Sequence, residues 1–201
     1  MAEPIQFKIF DLYDTSGIVV NDIALKGVIN LNPKLALKSH GRNVQKFGQT
    51  KVNIVERLIN KLAVAGHRGK KHKIILGRAT GKYSKNAAII LEAFADVEKR
   101  TGKNPVEILV RAVENAAPRD EITVIEYGGA RYPQAVDVSP MRRLNLALKH
   151  IIHGASEKAF GKKKTIAQSL ADEIILTHDN NGDSFAVRKK NESEKQADSA
   201  R

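Results

Sequence analysis

The stretch that decides the fold is GGARYPQAVDVSPMRR, residues 128–143. The glycine pair at its start favours a tight turn, and the residues that follow are typical of the return strand of a β-hairpin. Ser139 is a preferred N-cap residue, and Pro140 suits the first position of a helix. The stretch therefore predicts a hairpin that leads directly into a helix.

Two arginines, Arg142 and Arg143, fall in the first turn of that predicted helix. Cations are unfavourable there, because the helix dipole already places partial positive charge at the N-terminus. An anion near the free backbone N–H groups would remove the conflict, and a phosphate fits both the charge and the donors. The arginine pair is therefore a candidate phosphate-binding site.

Outward from this stretch, apolar residues recur with helical spacing. Ile54, Leu58 and Leu62 illustrate the first such face, which is opposed by a polar face that includes Glu56 and Arg57. Ser84 is the candidate N-cap of the second helix, and Thr101-Gly102 closes it. The predicted helices cover approximately residues 53–65, 84–101, 105–117, 140–155 and 165–176, and residues 188–201 are expected to form a surface helix or a mobile tail.

The expected fold is mainly α, a bundle of about six helices with a protruding β-hairpin arm between helices and an irregular N-terminal extension. Residues 121–138 form the arm, which must lean on the helices or on a partner because an isolated hairpin is marginally stable. The predicted organisation is an N-terminal extension with a basic loop (1–51), a helical domain (52–190) and a polar C-terminal tail (191–201).

Positive charge is concentrated in two blocks. The 201-residue chain has a net charge of +12. Residues 31–85 contain 14 Lys/Arg and 1 acid, and residues 141–165 contain 7 Lys/Arg and 1 acid. Because acids are so scarce within these blocks, the cations have few local ion-pair partners. This distribution indicates a polyanionic partner rather than a merely solvated surface.

Several other classes of protein are disfavoured. The chain has no cysteine, which excludes disulfides, thiolate metal sites and a cysteine nucleophile. No transmembrane run or signal peptide is expected. Residues 77–84 lack the spacing of a nucleotide phosphate loop, and residues 179–183 lack the pattern of a calcium loop. His150 and His153 share a polar helix face without an evident third metal ligand, so no catalytic residue, metal or cofactor is predicted.

The hairpin tip has a second candidate role. Arg131 and Tyr132 lie near the predicted turn, where an arginine beside an aromatic ring can stack on unpaired bases. Packing of Tyr132 against its own hairpin is an equally good explanation, because cross-strand aromatic contacts are common.

Several blocks of the sequence, in order, resemble the small-subunit ribosomal protein seven family, of the archaeal and eukaryotic kind. The most specific block is QAVDVSPMRR, residues 134–143. The other matching blocks are residues 22–25, 41–42, 54–58, 101–105, 118–119, 164–167, 170–173 and 186–190.

The resemblance implies a structural, non-enzymatic component of the cytoplasmic ribosome. Such a protein would bind the 3′ major domain of small-subunit rRNA, help nucleate assembly of the subunit head beside neighbouring ribosomal proteins, and place its arm near the exit-site tRNA and the mRNA. The alternatives are a sequence-specific DNA-binding regulator and, with less support, an RNA-modifying enzyme. Arg131 and Tyr132 are the predicted tRNA- or mRNA-proximal residues, and the predicted rRNA-binding residues are Arg42, Arg57, Lys70, Lys71, Lys73, Arg142, Arg143, Lys149, Lys162, Lys163, Lys164, Arg188 and Lys189.

Overall fold

The computed structural model describes residues 7–35, 41–42, 44–65, 67–68, 74–75 and 81–201. Seven α-helices lie in this part of the chain: α1 Ile23–Lys26, α2 Ile54–Leu62, α3 Tyr83–Thr101, α4 Pro105–Ala116, α5 Pro140–Ala159, α6 Ile166–His178 and α7 Phe185–Asp198. A 3-10 helix, Gly48–Lys51, precedes α2. Two antiparallel pairs of strands complete the fold: β1 His67–Arg68 with β2 Ile74–Ile75, and β3 Asp120–Tyr127 with β4 Ala130–Asp137.

The predicted fold class, a helical bundle with a hairpin arm, is confirmed. Helix α6 packs against α3, α4 and α5, and α5 also contacts α2 and α7. The shared core is aliphatic, with Leu109, Leu148, Ile151 and Leu170 fully buried. Of the predicted rRNA-binding residues, Lys70, Lys71 and Lys73 lie outside the described residues.

Local sequence signals explain most helix starts. The Asn53 and Asn104 side chains accept hydrogen bonds from the first turns of α2 and α4. Thr165 and Gln168 form a reciprocal capping box at α6. The expectation for Ser84 is wrong, because α3 begins at Tyr83 and Lys82 occupies the N-cap position.

The decisive stretch folds largely as predicted. Gly128 and Gly129 both adopt positive φ, as the two-residue turn between β3 and β4 requires. Ser139 occupies the N-cap position of α5 and Pro140 follows at its first position, but the Ser139 hydroxyl makes no capping hydrogen bond. The Ser139 side chain therefore does not satisfy the free backbone N–H groups in the first turn of α5.

Part of the polar face predicted for α2 is buried, although Asn60 on the same face is exposed. Glu56 and Arg57 are 3% and 6% exposed. Arg42 covers Glu56 through an ion pair, and Asn145 of α5 hydrogen-bonds Arg57. The periodicity identified the apolar stripe correctly but could not show that neighbouring segments close over the opposite side.

The base of the hairpin rests on α7, and its outer part projects into solvent. Glu194 accepts a hydrogen bond from the backbone N–H of Arg119, and the Ser193 hydroxyl donates to the carbonyl of Asp120. Residues 191–198 continue α7, the helical one of the two alternatives expected for residues 188–201, and Ala197 is fully buried. This helix supplies the support that a two-stranded arm needs.

A buried carboxylate, Glu173, fastens α7 to α5 and α6. Its Oε1 accepts hydrogen bonds from the Ser184 hydroxyl at 2.8 Å and the Ala186 backbone N–H at 3.2 Å. Its Oε2 accepts from Nζ of Lys158 at 2.6 Å. Gly154 makes the close approach possible, because a Cβ there would lie 2.7 Å from Cβ of Phe185 and 2.8 Å from the Glu173 carboxyl carbon.

We expect Gly154→Ala to lower the free energy of unfolding by about 1–3 kcal/mol, since an added methyl group overpacks this contact. Urea denaturation followed by circular dichroism measures the change. Gly182→Ala is the matched control, because no atom lies within 4 Å of the added Cβ. Equal stability of the two variants would show that α7 can move away without loss.

Candidate nucleic-acid interface

The anion beside Arg142 in the free chain is a carboxylate of the hairpin. Nε and NH2 of Arg142 donate to the two oxygens of Glu121 at 2.6 and 2.7 Å. These hydrogen bonds hold the pKa of Glu121 below its ordinary value. The Arg142 side chain remains half exposed, so phosphate binding by this residue stays a prediction.

Arg143 has a buried role at the junction of three segments. Its side chain is 8% exposed and donates to Oδ2 of Asp22 at 2.6 Å and to the carbonyl oxygen of Pro118 at 3.2 Å. Asp22 also caps α1 by accepting from the N–H groups of Ala24 and Leu25. The guanidinium therefore joins the N-terminal extension, the start of the arm and α5.

Carboxylates 14 and 8 positions away neutralise two other predicted phosphate ligands as well. Arg42 pairs with Glu56 at 2.8 Å. Lys164 pairs with Asp172, which also accepts from Arg100 at 2.5 Å. The basic blocks are thus partly compensated by residues that sequence proximity does not reveal.

Arg57 contrasts with Arg143, because no carboxylate pairs with it among the described residues. Its NH2 donates to Oδ1 of Asn145 at 3.2 Å, whereas its NH1 is buried without a hydrogen-bond partner. Burial lowers the pKa of Arg57 to about 10, which still leaves the guanidinium charged at neutral pH. A buried charge of this kind is unfavourable unless an anion pairs with it.

Further positive charge surrounds Arg57. Burial, followed by the charges of Arg57 and Lys149, lowers the pKa of Lys61. Lys149 in turn lines a depression between α5 and α7 together with Arg188 and Lys189. We call the surface formed by Arg57, Lys61, Lys149, Arg188 and Lys189 the basic face.

The remaining predicted sites lie away from the basic face along the chain. Lys162 and Lys163 are exposed beyond the end of α5, which is about 30 Å long at 1.5 Å per residue. At the hairpin tip, Arg131 lies 3.6 Å from Glu126, with both side chains largely exposed. Tyr132 is opposite Ile125 in the strand register and 58% exposed, so its ring remains accessible.

Lys61 and Asn145 lie near Arg57 but are not among the site residues predicted from the sequence. Lys61 follows Arg57 by one helical turn, so its spacing on the polar side of α2 was a usable signal. Asn145 carries no charge, and its contact with Arg57 depends on how α2 and α5 pack. Within the described ranges, no group of three or more metal-ligating side chains is present, and no helix is long and apolar enough to cross a membrane.

Comparisons with known proteins agree with this architecture. The family model described as Ribosomal protein S7p/S5e matches residues 28–201. The small ribosomal subunit protein uS7 of Nanoarchaeum equitans is 46% identical over 197 residues, covering 98% of this chain and all of the relative. The uS7 protein of Archaeoglobus fulgidus is 45% identical over 194 residues, covering 96% of this chain and 94% of the relative. The uS7 protein of Methanococcus maripaludis strain C6 is 46% identical over 199 residues, covering 98% of this chain and all of the relative.

The near full-length matches, together with the helical bundle and its hairpin arm, show that the chain is a ribosomal protein. Proteins of this class are structural components of the ribosome and not enzymes. More specifically, the chain belongs to the Ribosomal protein S7p/S5e family, and the relatives named above are archaeal. The resemblance to the ribosomal protein seven family and the expectation of a non-enzymatic protein are thereby confirmed.

We expect acidification to weaken the junction held by Arg143 and Asp22. Burial of the Asp22 carboxyl opposes ionisation, but the hydrogen bond and charge of Arg143 outweigh it and hold the pKa below its ordinary value of 3.8. Because folding lowers this pKa, the contribution to stability is complete above the unfolded-state pKa and is lost as the pH falls through the lower folded-state pKa.

Asp22→Asn should lower the free energy of unfolding at pH 7 by about 1.5–3 kcal/mol, the contribution of a hydrogen bond to a charged group. As the pH falls below 4, the stability of this variant should decrease less than that of the wild type. Urea unfolding between pH 7 and pH 3 measures both effects. Asp11→Asn, at an exposed position, is the control. Parallel stability profiles for the wild type and Asp22→Asn would contradict this role.

Proposed function

We propose that the chain is a structural component of the small ribosomal subunit in the cytoplasm and binds the 3′ major domain of its rRNA through the basic face. In that role it helps nucleate assembly of the subunit head, beside neighbouring ribosomal proteins. Family membership supports the ribosomal assignment, and the uS7 name of the relatives supports the small subunit. The basic face supports the choice of RNA surface.

The observation that carries the proposal is the unpaired guanidinium of Arg57. Folding lowers its pKa, so the proton it carries at neutral pH opposes folding. An RNA phosphate close to the guanidinium would supply the missing negative charge. Lys61 and Lys149 lie close enough to influence each other electrostatically and would strengthen the same attraction.

The cations divide into two groups on this proposal. Arg143 and Arg42, already paired with carboxylates, hold the protein in the shape that RNA recognises. The basic face, together with the exposed Lys162 and Lys163, replaces counterions on closely spaced phosphates. These contacts orient the protein on folded RNA and carry little sequence information.

The hairpin arm is proposed to lie near the exit-site tRNA and the mRNA, with Arg131 and Tyr132 closest to them. The support is the resemblance of the chain to its family, together with the exposure of the tip. The arm is anchored near its base by α7 and by Arg142 of α5, and its outer half is exposed.

Arg57→Met should leave the free energy of unfolding unchanged or raise it, since it removes a buried charge that has no carboxylate partner. Binding to a transcript of the 3′ major domain should weaken about tenfold, corresponding to loss of one charge-assisted hydrogen bond. Urea unfolding and filter binding measure the two effects on the same preparation.

Arg143→Met is the matched control at the second buried arginine. It should destabilise the protein by about 2–4 kcal/mol, because it leaves Asp22 without its partner. If Arg57→Met were destabilised to the same degree, or bound RNA like the wild type, Arg57 would be a structural residue and the proposal would lose its main support.

The salt dependence of binding offers an independent check. The affinity for the same transcript should fall linearly on a log–log plot against salt, with a slope of about −0.7 per neutralised phosphate. Lys61→Gln and Lys149→Gln should each reduce the steepness by about 0.7, whereas Lys103→Gln, at an exposed loop position, should not. Tighter binding to palindromic duplex DNA than to the transcript would instead favour the alternative of a DNA-binding regulator.

A further inference from the structure

The depression between α5 and α7 has a composition that phosphate binding alone does not explain. Its volume is about 430 Å³, and it is broadly open to solvent. Cationic side chains, two histidines, one phenylalanine and one carboxylate line it. Its lining residues are Lys149, His150, His153, Glu157, Phe185, Arg188 and Lys189.

His150 lacks a hydrogen bond inside this depression. Its Nδ1 is shielded from solvent and has no partner. Burial, with smaller effects from Lys149 and Lys189, lowers the pKa of His150 to about 4, so the ring is neutral at neutral pH. A neutral imidazole offers one N–H donor and one acceptor nitrogen, and a buried polar atom left unpaired is unfavourable.

Phe185 supplies an aromatic surface beside that imidazole. The two ring centroids are 6.2 Å apart. The guanidinium of Arg188 and the ammonium of Lys189 lie 5.7 and 6.0 Å from the Phe185 ring centroid. An aromatic ring bordered by cations is the arrangement on which nucleic-acid bases stack while their phosphates are neutralised.

We propose that this depression receives one unpaired nucleotide, with its base against Phe185, its hydrogen-bonding edge towards His150, and its phosphate beside Lys149 and Arg188. The inference rests on the proposed RNA-binding function and adds a base-recognition site to it. A phosphate alone fits less well, because it gains nothing from Phe185, cannot use the acceptor nitrogen of a neutral imidazole and is repelled by Glu157.

The direct test is an NMR titration of the full chain with isotope-labelled histidine rings. Each of the four nucleoside 5′-monophosphates is added to millimolar concentration, and ribose 5-phosphate and inorganic phosphate serve as base-free controls. At least one nucleotide should shift the His150 and His153 ring signals saturably, and the base-free phosphates should not. Equal shifts with the base-free phosphates, or none with any nucleotide, would overturn the proposal.

A second arm uses the 3′ major-domain transcript. Phe185→Leu keeps the aliphatic part of the side chain beside Gly154 but removes the ring, so affinity should fall fivefold or more, about the low end for one base–aromatic stack. Phe7→Leu, in the N-terminal extension and highly exposed, should bind like the wild type. Circular dichroism establishes that both variants are folded.

The two arms separate this inference from the proposed function. Wild-type affinity of Phe185→Leu together with weak binding by Arg57→Met would refute the nucleotide site and leave the RNA-binding function intact. Failure of the wild-type chain to bind the transcript would refute that function. In that case a base-dependent shift of the histidine signals would still establish a nucleotide site. The absence of such a shift would refute the nucleotide site as well as the RNA-binding function.

Discussion

The arrangement of α5, α6 and α7 depends on one buried carboxylate. Glu173 is fully enclosed and accepts hydrogen bonds from Ser184, Ala186 and Lys158, so the N-cap of α7, its first turn and the end of α5 converge on it. A buried ionised group requires this degree of compensation. The missing side chain at Gly154 allows the helices to approach closely enough to provide it. Both the support of the hairpin arm and the depression next to Phe185 follow from this packing.

The charges of the molecule follow a consistent division. Cations at packing junctions, such as Arg143 and Arg42, are matched by carboxylates of the same chain. On the basic face, Lys189 pairs with Glu192 at 2.6 Å, whereas Arg57 has no carboxylate partner among the described residues. Intramolecular pairs at junctions fix shape, whereas uncompensated charge attracts polyanions. The concentration of positive charge seen in the sequence therefore corresponds to two different physical roles.

The sequence was sufficient to predict most helices and the hairpin, but it was insufficient to predict which groups pair with individual charged side chains. Periodicity, Asn-Pro and Gly-Gly signals located most helices and the hairpin, because these depend on residues within a few positions of one another. The pairing of Arg143 with Asp22 spans 121 positions, so no local pattern indicates it. Similarly, Arg57 and Glu56 occupy a formally polar helix face, and only the packing of α5 and the Arg42 segment shows that this face is covered. The polarity of residues 191–198 left a surface helix and a mobile tail as alternatives, because the buried Ala197 and two hydrogen bonds to the hairpin base that hold the helix depend on packing.

The isolated arginine of α2 has a consequence for the life of the protein in the cell. On the proposed function, RNA binds the native chain and supplies the negative charge that the protein interior lacks, so assembly raises resistance to unfolding by mass action. Newly made copies that have not yet joined a particle open more often than assembled ones. Proteases that cleave open conformations would then remove surplus chains selectively, with no dedicated degradation signal.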